Sequence, residues 1–490
     1  MCSIPSTSSS SLNVGILGHV DSGKTTLTRR IAEMGSTSAF DAASGIRKNT
    51  LDLGFSTMTS SSGRRLALID CPGHSGLIRA VLAASTVFDM AIVVIDAIAG
   101  IQPQTAEHLF LVSKFCPSRL IIVLSKCDLA AEKNEKIIEE TKRKIRKGLK
   151  AMHVDSEAPI VEMSLIDGVF KTEMLETLKS AIESRVFEPR RDAEGPLLIA
   201  IDHCFSVKGQ GTVLTGTVLR GVLRLNSEIE LSSLSERRRI KTLESWKQRV
   251  DDVASGERAA FLVSPSFDER RFSRCLSGAP GTLKSTKSVL ATVDPIPFFR
   301  KSIASKSRCH VAVAFETLMA ECVFLRDADT KFEQLDGLLA PCQVIFKFEK
   351  PIFLPEDYCI PYMAARLDEQ KGCRFCFSGA FKPEINPEKL RIFVRKSRKG
   401  HVERIEKDGY SAICTGMFKP ETNFDVFRGF KITTSSGPIG TIEGAFGKSG
   451  KFRVTFHEKI DGLVKEKEEI SLSMKKYHGD NRLVSYIPDL

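Results

Sequence analysis

The sequence lacks several features that would place it in a specialised class of proteins. It has no apolar run near the roughly 18 residues that a membrane-spanning helix needs. Its 13 cysteines are odd in number and form no spaced framework, which predicts free thiols in a reducing compartment. Residues 1–11 are serine-rich, without the apolar stretch of a secretory signal or an Arg-rich amphipathic pattern, so we expect a disordered lead. These absences predict a cytoplasmic protein without a membrane span.

The composition is that of an ordinary globular protein with several domains. The chain has 490 residues, of which 42% are hydrophobic and 27% charged. Single hydrophobic cores stop growing near roughly 250–300 residues, so this length predicts more than one domain. The net charge of +11 favours a polyanionic partner, and nucleic acid before a membrane surface.

The most informative motif is GHVDSGKT at residues 18–25, which fits the phosphate-binding pattern G-x-x-x-x-G-K-[ST]. An apolar strand at 12–17 is predicted before it and a helix at 26–34 after it. In that context backbone N–H groups wrap the phosphates, Lys24 reaches the β and γ phosphates, and the Thr25 hydroxyl binds Mg²⁺. The residues of this loop predicted to contact nucleotide are Asp21, Ser22, Gly23, Lys24, Thr25 and Thr26.

Residues 12–187 alternate between apolar runs and amphipathic segments, which predicts a doubly wound α/β domain. Further strands are predicted at 66–69, 90–95, 120–124 and 160–163. Further helices are predicted at 75–86, 104–115, 131–152 and 172–184. The helix predicted at 131–152 carries many cations, and such a pattern is more typical of a solvated face than of an RNA contact.

Three further signals follow predicted strands, where such a fold binds its ligand. In DCPGH at 70–74, Asp70 can hold Mg²⁺ through water and the Gly73 N–H can meet a γ-phosphate. In SKCD at 125–128, Asp128 can accept both N–H groups of the guanine edge, and Lys126 can lie along the base. Ser164 can close the base site. An ATPase does not need the guanine-reading carboxylate, so we predict GTP and GDP as ligands.

These motifs together resemble those of the translational GTPases, and TLDLGF at 50–55 narrows the resemblance to eukaryotic and archaeal selenocysteine-specific elongation factors. IDHCFSVKGQGT at 201–212 supports it. The resemblance implies that His74 orients the attacking water, that Thr50 completes the Mg²⁺ shell, and that Lys24 acts with them in catalysis.

Two positions depart from the family pattern. Ser125 stands where the family has asparagine, so we expect the loss of a loop-to-loop or base hydrogen bond worth about 0.5–1.5 kcal/mol and weaker nucleotide binding, with guanine selection kept by Asp128. Lys48 and Asn49 stand where the family has glycine and isoleucine before the switch threonine. Because Asn49 is polar, we expect less complete exclusion of solvent from the catalytic water.

After a polar linker at 188–196, hydrophobic residues recur at every second position in short segments. This pattern predicts a β-barrel domain at 197–281. An Asp-His pair in a strand is by itself more often structural. The resemblance instead implies that Phe55, Asp202, His203 and Arg258 line the aminoacyl pocket. A selenol is largely ionised at neutral pH, so a guanidinium and an imidazole would favour it over the serine hydroxyl.

Two more β-rich domains are predicted, a second barrel at 282–383 and a C-terminal domain at 384–490. Cys373 and Cys376 form a C-x-x-C without a second pair, which argues against zinc or redox chemistry. His310 lies in an alternating run and is predicted to be a strand residue without catalytic duty. Charge patterning divides the last domain evenly between an RNA-binding barrel and a solvated edge. Its RNA-binding candidates are Arg391, Arg395, Lys396, Arg398 and Lys399.

The resemblance implies a GTP-dependent elongation factor that delivers selenocysteyl-tRNA to the ribosome for UGA recoding. It further implies a separate protein that binds the selenocysteine-insertion RNA hairpin, because no winged-helix series is present. We expect a monomer. The alternatives are a general aminoacyl-tRNA or initiator-tRNA carrier of the same superfamily, and a slowly hydrolysing GTP-switched RNA-binding protein.

Overall fold

The computed structural model describes residues 11–35, 53–74, 77–134, 136–166, 170, 172–369, 372–479 and 482–488. The predicted Thr50, Lys48 and Asn49 lie outside these residues, as do residues 1–10 of the predicted lead. Ser11, the last residue of that lead, is fully buried. The chain divides into two compact units, one of residues 1–301, 308–322 and 346–385, the other of residues 302–307, 323–345 and 386–490.

The first sheet of the first unit has seven strands in the order β2-β3-β4-β1-β5-β6-β7. The five strands from β4 to β7 run parallel, as predicted, and β3 and β2 extend the sheet in the antiparallel sense. Its strands are β1 (Leu12–Gly18), β2 (Met34–Gly35), β3 (Gly54–Thr59), β4 (Arg65–Asp70), β5 (Met90–Asp96), β6 (Leu120–Ser125) and β7 (Ile160–Glu162). Residues of β1 and β5 are buried on both faces, as the apolar runs required.

Six α-helices pack with this sheet among the described residues. They are α1 (Lys24–Ile31), α2 (Ile78–Ser85), α3 (Pro103–Phe115), α4 (Cys127–Lys133), α5 (Lys136–Ala151) and α6 (Thr172–Glu183). None of them is long and apolar enough to cross a membrane.

Two helix predictions were wrong in detail. The helix after the phosphate loop ends at Ile31, because Ala32 is extended, and Met34 belongs to β2 instead. The helix predicted over 131–152 is interrupted at Asn134, whose backbone is extended. The Asn134 side chain accepts a hydrogen bond from the N–H of Lys136 at 2.9 Å, so it ends one helix and starts the next.

The second sheet of the first unit closes into a barrel in the order β11-β16-β8-β9-β15-β12-β13, because β11 also pairs with β12. Its core contains Ile199, Leu214, Ile240 and Phe261. The strands of this part are β8 (Leu198–Val207), β9 (Gly211–Arg220), β10 (Val222–Arg224), β11 (Glu228–Leu231), β12 (Glu236–Ser245), β13 (Gln248–Arg249), β14 (Asp252–Ala254), β15 (Arg258–Ser264) and β16 (Cys275–Gly278).

A second barrel follows in the first unit, and β19–β20 pairing closes it. Its phenylalanine-rich interior includes Phe346, Tyr362, Phe377 and Phe381. Its strands are β17 (Leu283–Thr292), β18 (Asp294–Pro295), β19 (Ser307–Val313), β20 (Glu316–Ala328), β22 (Gln343–Pro355), β23 (Pro361–Ala365) and β24 (Phe375–Lys382). The end of β20 from residue 323, β21 (Lys331–Gln334) and the start of β22 up to residue 345 are assigned to the second unit.

The second unit is also β-rich, with a core around Val402, Ile432, Phe452 and Leu472. Its sheet runs β25-β26-β29-β28-β27-β30-β31, and a long β25–β30 pairing closes it. The strands are β25 (Ile392–Ile405), β26 (Ser411–Thr415), β27 (Lys431–Thr434), β28 (Ile439–Ala445), β29 (Phe452–Phe456), β30 (Glu469–Tyr477) and β31 (Leu483–Tyr486). A GTPase-type α/β domain followed by β-barrel domains was the predicted fold class, and it is confirmed.

Candidate functional site

The phosphate loop joins β1 to α1 at the carboxyl edge of the first sheet. Gly18 has φ 141°, and a Cβ atom there would lie 2.2 Å from the Val94 carbonyl oxygen, so only glycine fits. The loop borders a cavity of about 890 Å³. Among the predicted site residues, those that line this cavity are Asp21, Ser22, Gly23, Lys24, Thr25, Thr26, Gly73, His74, Ser125, Lys126 and Asp128.

Lys24 lies at the phosphate end of this cavity. Its ammonium donates a hydrogen bond to the His19 carbonyl at 2.5 Å. Burial lowers the pKa of Lys24, and Asp70 opposes that shift. Gly73 lies against it, since a Cβ atom at Gly73 would be 2.4 Å from the Lys24 Nζ. His74 follows directly, is exposed, and faces the same cavity.

Thr25 and Asp70 form the pair of oxygens expected for Mg²⁺. The Thr25 hydroxyl donates to Asp70 Oδ2 at 2.8 Å, while Asp70 Oδ1 is buried without a hydrogen-bond partner. Burial raises the pKa of Asp70 to about 6. An orphaned, buried carboxylate oxygen beside a hydroxyl suits a hard divalent cation, so these residues fit Mg²⁺.

The base end of the cavity is built by the segments after β6 and β7. The Ser125 hydroxyl donates to the Ser22 carbonyl at 2.7 Å, so the serine that replaces the family's asparagine still ties this segment to the phosphate loop. The Asp128 backbone N–H donates to Ser164 Oγ at 3.0 Å, and Asp128 Oδ1 is buried without a partner. That free acceptor suits a guanine N–H.

Lys126 and an unpredicted residue, Asp96, complete the base end. Lys126 has φ 58° and its ammonium lies 2.8 Å from Asp96 Oδ2. Asp96 is the last residue of β5, so its place at a strand end was the signal that could have identified it.

His108 in α3 was missed by the sequence analysis. Its Nδ1 accepts a hydrogen bond from the Gly18 N–H at 2.9 Å, and only 1% of its surface is exposed. Burial lowers the pKa of His108 to about 3, so the imidazole is neutral with its proton on Nε2. No motif marks it, because its role depends on how α3 packs on β1.

The four residues predicted for the aminoacyl pocket come together around Asp202. The Arg258 guanidinium donates to both carboxylate oxygens of Asp202 at 2.7 Å, and His203 Nδ1 lies 2.7 Å from Oδ1. The Arg258 Cζ lies 3.3 Å from the centre of the Phe55 ring. Burial would raise the pKa of Asp202, but the Arg258 charge and the hydrogen bonds of His203 and Arg258 hold it well below its usual value.

Thr215 on β9 is a further member of this cluster. Its hydroxyl donates to Asp202 Oδ1 at 2.8 Å and accepts from Arg258 Nη2 at 3.2 Å, and 1% of its surface is exposed. The Arg258 charge is therefore compensated by Asp202 in this arrangement, and His203 is the pocket's more exposed nitrogen base.

The RNA-binding candidates do not form one patch. Alternation along β25 places Arg395 and Lys399 on one face and Lys396 and Arg398 on the other. Arg395 pairs with Glu333 at 2.7 Å, and Lys399 pairs with Glu469 at 2.8 Å. Arg398 lies over the Phe418 and Phe427 rings, and Arg391 is exposed just before the strand.

Within the described part of the chain, Cys373, Cys376 and His310 belong to no group of three or more His, Cys, Asp and Glu residues arranged to hold a metal ion. His310 lies in β19, as predicted, and its Nε2 is 3.0 Å from an Arg79 guanidinium nitrogen.

Comparisons with known proteins match both ends of the chain to family models. The model of the Elongation factor Tu GTP binding domain matches residues 9–184. The model of the eEFSec C-terminal RIFT domain matches residues 388–484.

Relatives and solved structures extend this similarity over nearly the whole chain. The selenocysteine-specific elongation factor of Mus musculus is 33% identical over 90% of this chain and 88% of its own length. That of Methanocaldococcus jannaschii is 29% identical over 92% and 95%. The crystal structure of elongation factor SelB from Methanococcus maripaludis, in complex with the GTP analogue GppNHp, has TM-score 0.76 at 23% identity, covering 95% of this chain and 98% of that one. This last likeness supports the fold.

Proposed function

Because the chain belongs to the family of selenocysteine-specific elongation factors and is a translational GTPase, we propose that it binds selenocysteyl-tRNA in its GTP form and delivers it to the ribosome for UGA recoding. The observation that carries the proposal is the cluster of the buried Phe55, Asp202 and Arg258 with the partly exposed His203. A general carrier of aminoacyl-tRNA does not need such a cluster.

The ligands of the cavity that the phosphate loop borders are GTP, GDP and Mg²⁺. We assign the phosphates to Lys24 and to the backbone N–H groups of residues 21–26 and Gly73. Asp128 would accept from guanine, with Lys126 along the base and Ser164 and Ser125 holding the two loops. Thr25 and Thr50, with Asp70 through water, would hold Mg²⁺, which neutralises phosphate charge when bound.

Hydrolysis in this proposal depends on positioning and charge, because phosphoryl transfer needs little covalent chemistry from the protein. His74 would orient the attacking water. Its exposure beside Gly73 supports this role, because both residues face the cavity that Lys24 enters.

The pocket would recognise the ionised selenol through charge-assisted hydrogen bonds from its guanidinium and imidazole. Asp202 and Thr215 fix the Arg258 guanidinium in one orientation, so its remaining N–H groups are preorganised. Arg258 Nε is buried without a hydrogen-bond partner. A site built to pair a charged group rejects a neutral analogue far more strongly than one that only measures size.

The experiment is a comparison of affinities for selenocysteyl-tRNA and seryl-tRNA with GTP bound. Removing Arg258 alone leaves the Asp202 carboxylate buried without its counter-charge, which destabilises the fold. We therefore pair Arg258→Ala with Asp202→Asn, and test His203→Ala separately because His203 is partly exposed. Losing a charge-assisted hydrogen bond of about 1.5–3 kcal/mol should reduce the preference for selenocysteyl-tRNA about 10-fold or more.

The exposed His457→Ala serves as the matched control for losing an imidazole. Equal affinity of the wild-type protein for both tRNAs would refute the proposal and favour the general carrier. An unchanged preference in both pocket variants would refute the pocket assignment alone.

We further propose the domain boundaries 12–187, 197–281, 282–383 and 384–490, a monomer in the cytoplasm, and a separate partner that binds the insertion hairpin. The C-terminal model match at 388–484 supports the last boundary.

A further inference from the structure

The outward face of α5 carries four exposed cations, which we call the α5 basic face: Arg143, Lys144, Lys147 and Lys150. Within the described part of the chain, none of the four forms an ion pair. Two further cations of α5 are engaged. Lys142 pairs with Glu139 at 2.7 Å and Glu162 at 2.5 Å, while Arg146 donates to two backbone carbonyls, those of Ser156 and Ala158.

The apolar side of α5 packs inside the GTPase domain. Ile145 and Leu149 are fully buried, and the Thr141 hydroxyl donates to the Ala97 carbonyl at 2.9 Å. An amphipathic basic helix often binds a membrane surface or a protein groove, but both modes need an available apolar face. Between Arg143 and Lys150, α5 therefore exposes charged side chains and no apolar side chain to a partner.

The helix dipole does not account for these cations. Glu139 near the N-terminus and Lys150 in the last turn complement the dipole, but its effect falls off within one turn of each end. Arg143 and Lys144 lie in the middle of a 16-residue helix. The α5 basic face extends about 10 Å along the axis from Arg143 to Lys150, at 1.5 Å per residue.

We propose that the α5 basic face binds the phosphate backbone of RNA. Protein interfaces place aromatic and apolar residues at their centre and are depleted in lysine, whereas phosphate contacts need only positive charge. From Arg143 to Lys150 the exposed side chains of α5 are three lysines and one arginine, with no acidic or aromatic residue among them, and the exposed Glu139 and Glu140 lie one turn nearer the N-terminus. The Thr141 hydrogen bond to the carbonyl of Ala97, which follows Asp96, places α5 at the guanine end of the GTPase domain.

The test uses the full-length protein and a short fluorescein-labelled RNA duplex unrelated to tRNA, with anisotropy measured over a salt series. The variant is Arg143→Gln/Lys144→Gln/Lys147→Gln, because glutamine retains helix propensity. Removing three phosphate contacts should reduce the slope of log affinity against log salt by about 2–3 and weaken binding several-fold at low salt.

A matched control removes the same charge elsewhere: Arg300→Gln/Lys287→Gln/Lys241→Gln, all exposed positions outside the GTPase domain. The control should keep the wild-type salt slope. GTP affinity and the preference for selenocysteyl-tRNA should remain unchanged in both variants, which separates this proposal from the proposed function.

Equal loss of RNA affinity in both triple variants would overturn the proposal, because it would show a general charge effect. So would an unchanged salt slope in the α5 variant. A poly-glutamate peptide that loses affinity for the α5 variant while the RNA does not would assign the surface to an acidic protein instead.

Discussion

At the scale of single residues, Ser125 shows how one hydroxyl can hold two nucleotide-binding loops together. The sequence predicted the loss of a loop-to-loop or base hydrogen bond at this position. A loop-to-loop bond is present, because the serine hydroxyl donates to the Ser22 carbonyl at 2.7 Å and also lies 3.3 Å from the Ile95 carbonyl. The residue types of the site could be predicted from motifs, but this bond depends on backbone positions that motifs do not specify.

Replacing Ser125 with alanine should weaken nucleotide binding. The change leaves the buried Ser22 carbonyl without its donor, and a hydrogen bond of about 0.5–1.5 kcal/mol corresponds to roughly a 2–12-fold loss of affinity. Titration with a fluorescent GDP analogue would measure it. Ser125→Asn restores a donor and should bind at least as tightly as wild type, whereas equal affinity of the alanine variant would show that the bond contributes nothing.

His108 should make the stability of the GTPase domain depend on pH. Its folded pKa of about 3 lies below its ordinary value of 6.5, so the unfolded chain takes up a proton that the folded domain excludes. Its contribution is therefore full above pH 6.5 and is lost as the pH falls towards 3. One pH unit corresponds to about 1.4 kcal/mol, so stability should fall by up to about 2 kcal/mol between pH 6.5 and pH 5.

The measurement is urea unfolding at several pH values, comparing the wild type with His108→Gln, whose amide oxygen can still accept from Gly18. The glutamine variant should show a shallower fall in stability below pH 6.5. The exposed His457→Gln is the control. Parallel pH curves for the wild type and His108→Gln would contradict the assignment of the neutral imidazole.

At the scale of elements, the sequence predicted the strands better than the helix ends. Apolar runs such as 90–95 and 120–124 correspond to buried strands, because a parallel sheet covered on both faces needs continuous apolar residues. The helix boundaries depended on local capping. The periodicity of 131–152 continued through Asn134, but the extended backbone of Asn134 and its side-chain hydrogen bond to Lys136 separate two helices.

Asn134→Ala should destabilise the start of α5. The side chain satisfies the first backbone N–H of that helix, and losing such a cap costs about 1 kcal/mol. Thermal unfolding of the GTP-free protein would detect the loss. Asn134→Asp keeps an accepting oxygen and should retain most of the stability, so an aspartate variant as unstable as alanine would argue against capping.

At the scale of the whole molecule, the sequence first alternates apolar runs with amphipathic segments and then changes to a hydrophobic period of two residues. That change predicted an α/β domain followed by β-barrels. How the GTPase domain contacts the second barrel within the first unit could not be predicted. Glu107 of α3 and Arg374 before β24 are 267 positions apart in sequence, yet Arg374 donates to both Glu107 carboxylate oxygens at 2.5 and 2.6 Å. No local pattern links two residues so distant in sequence.

Breaking this ion pair should loosen the GTPase domain from the second barrel. Both side chains are only 12–13% exposed, so Glu107→Arg leaves two buried cations facing each other, and Arg374→Glu leaves two carboxylates. Each single variant should show faster proteolysis in the linker at 188–196, because this linker is tied to the GTPase domain by the Arg191–Asp89 ion pair and should open more often when that domain is held less tightly. The double swap, Glu107→Arg with Arg374→Glu, restores opposite charges and should recover most of the protection.

Because His108 adjoins Glu107 and bonds to Gly18, bound GDP should also slow cleavage less in the single variants than in the wild type. Additive effects of the two substitutions in the double variant would show that the residues do not act as a pair.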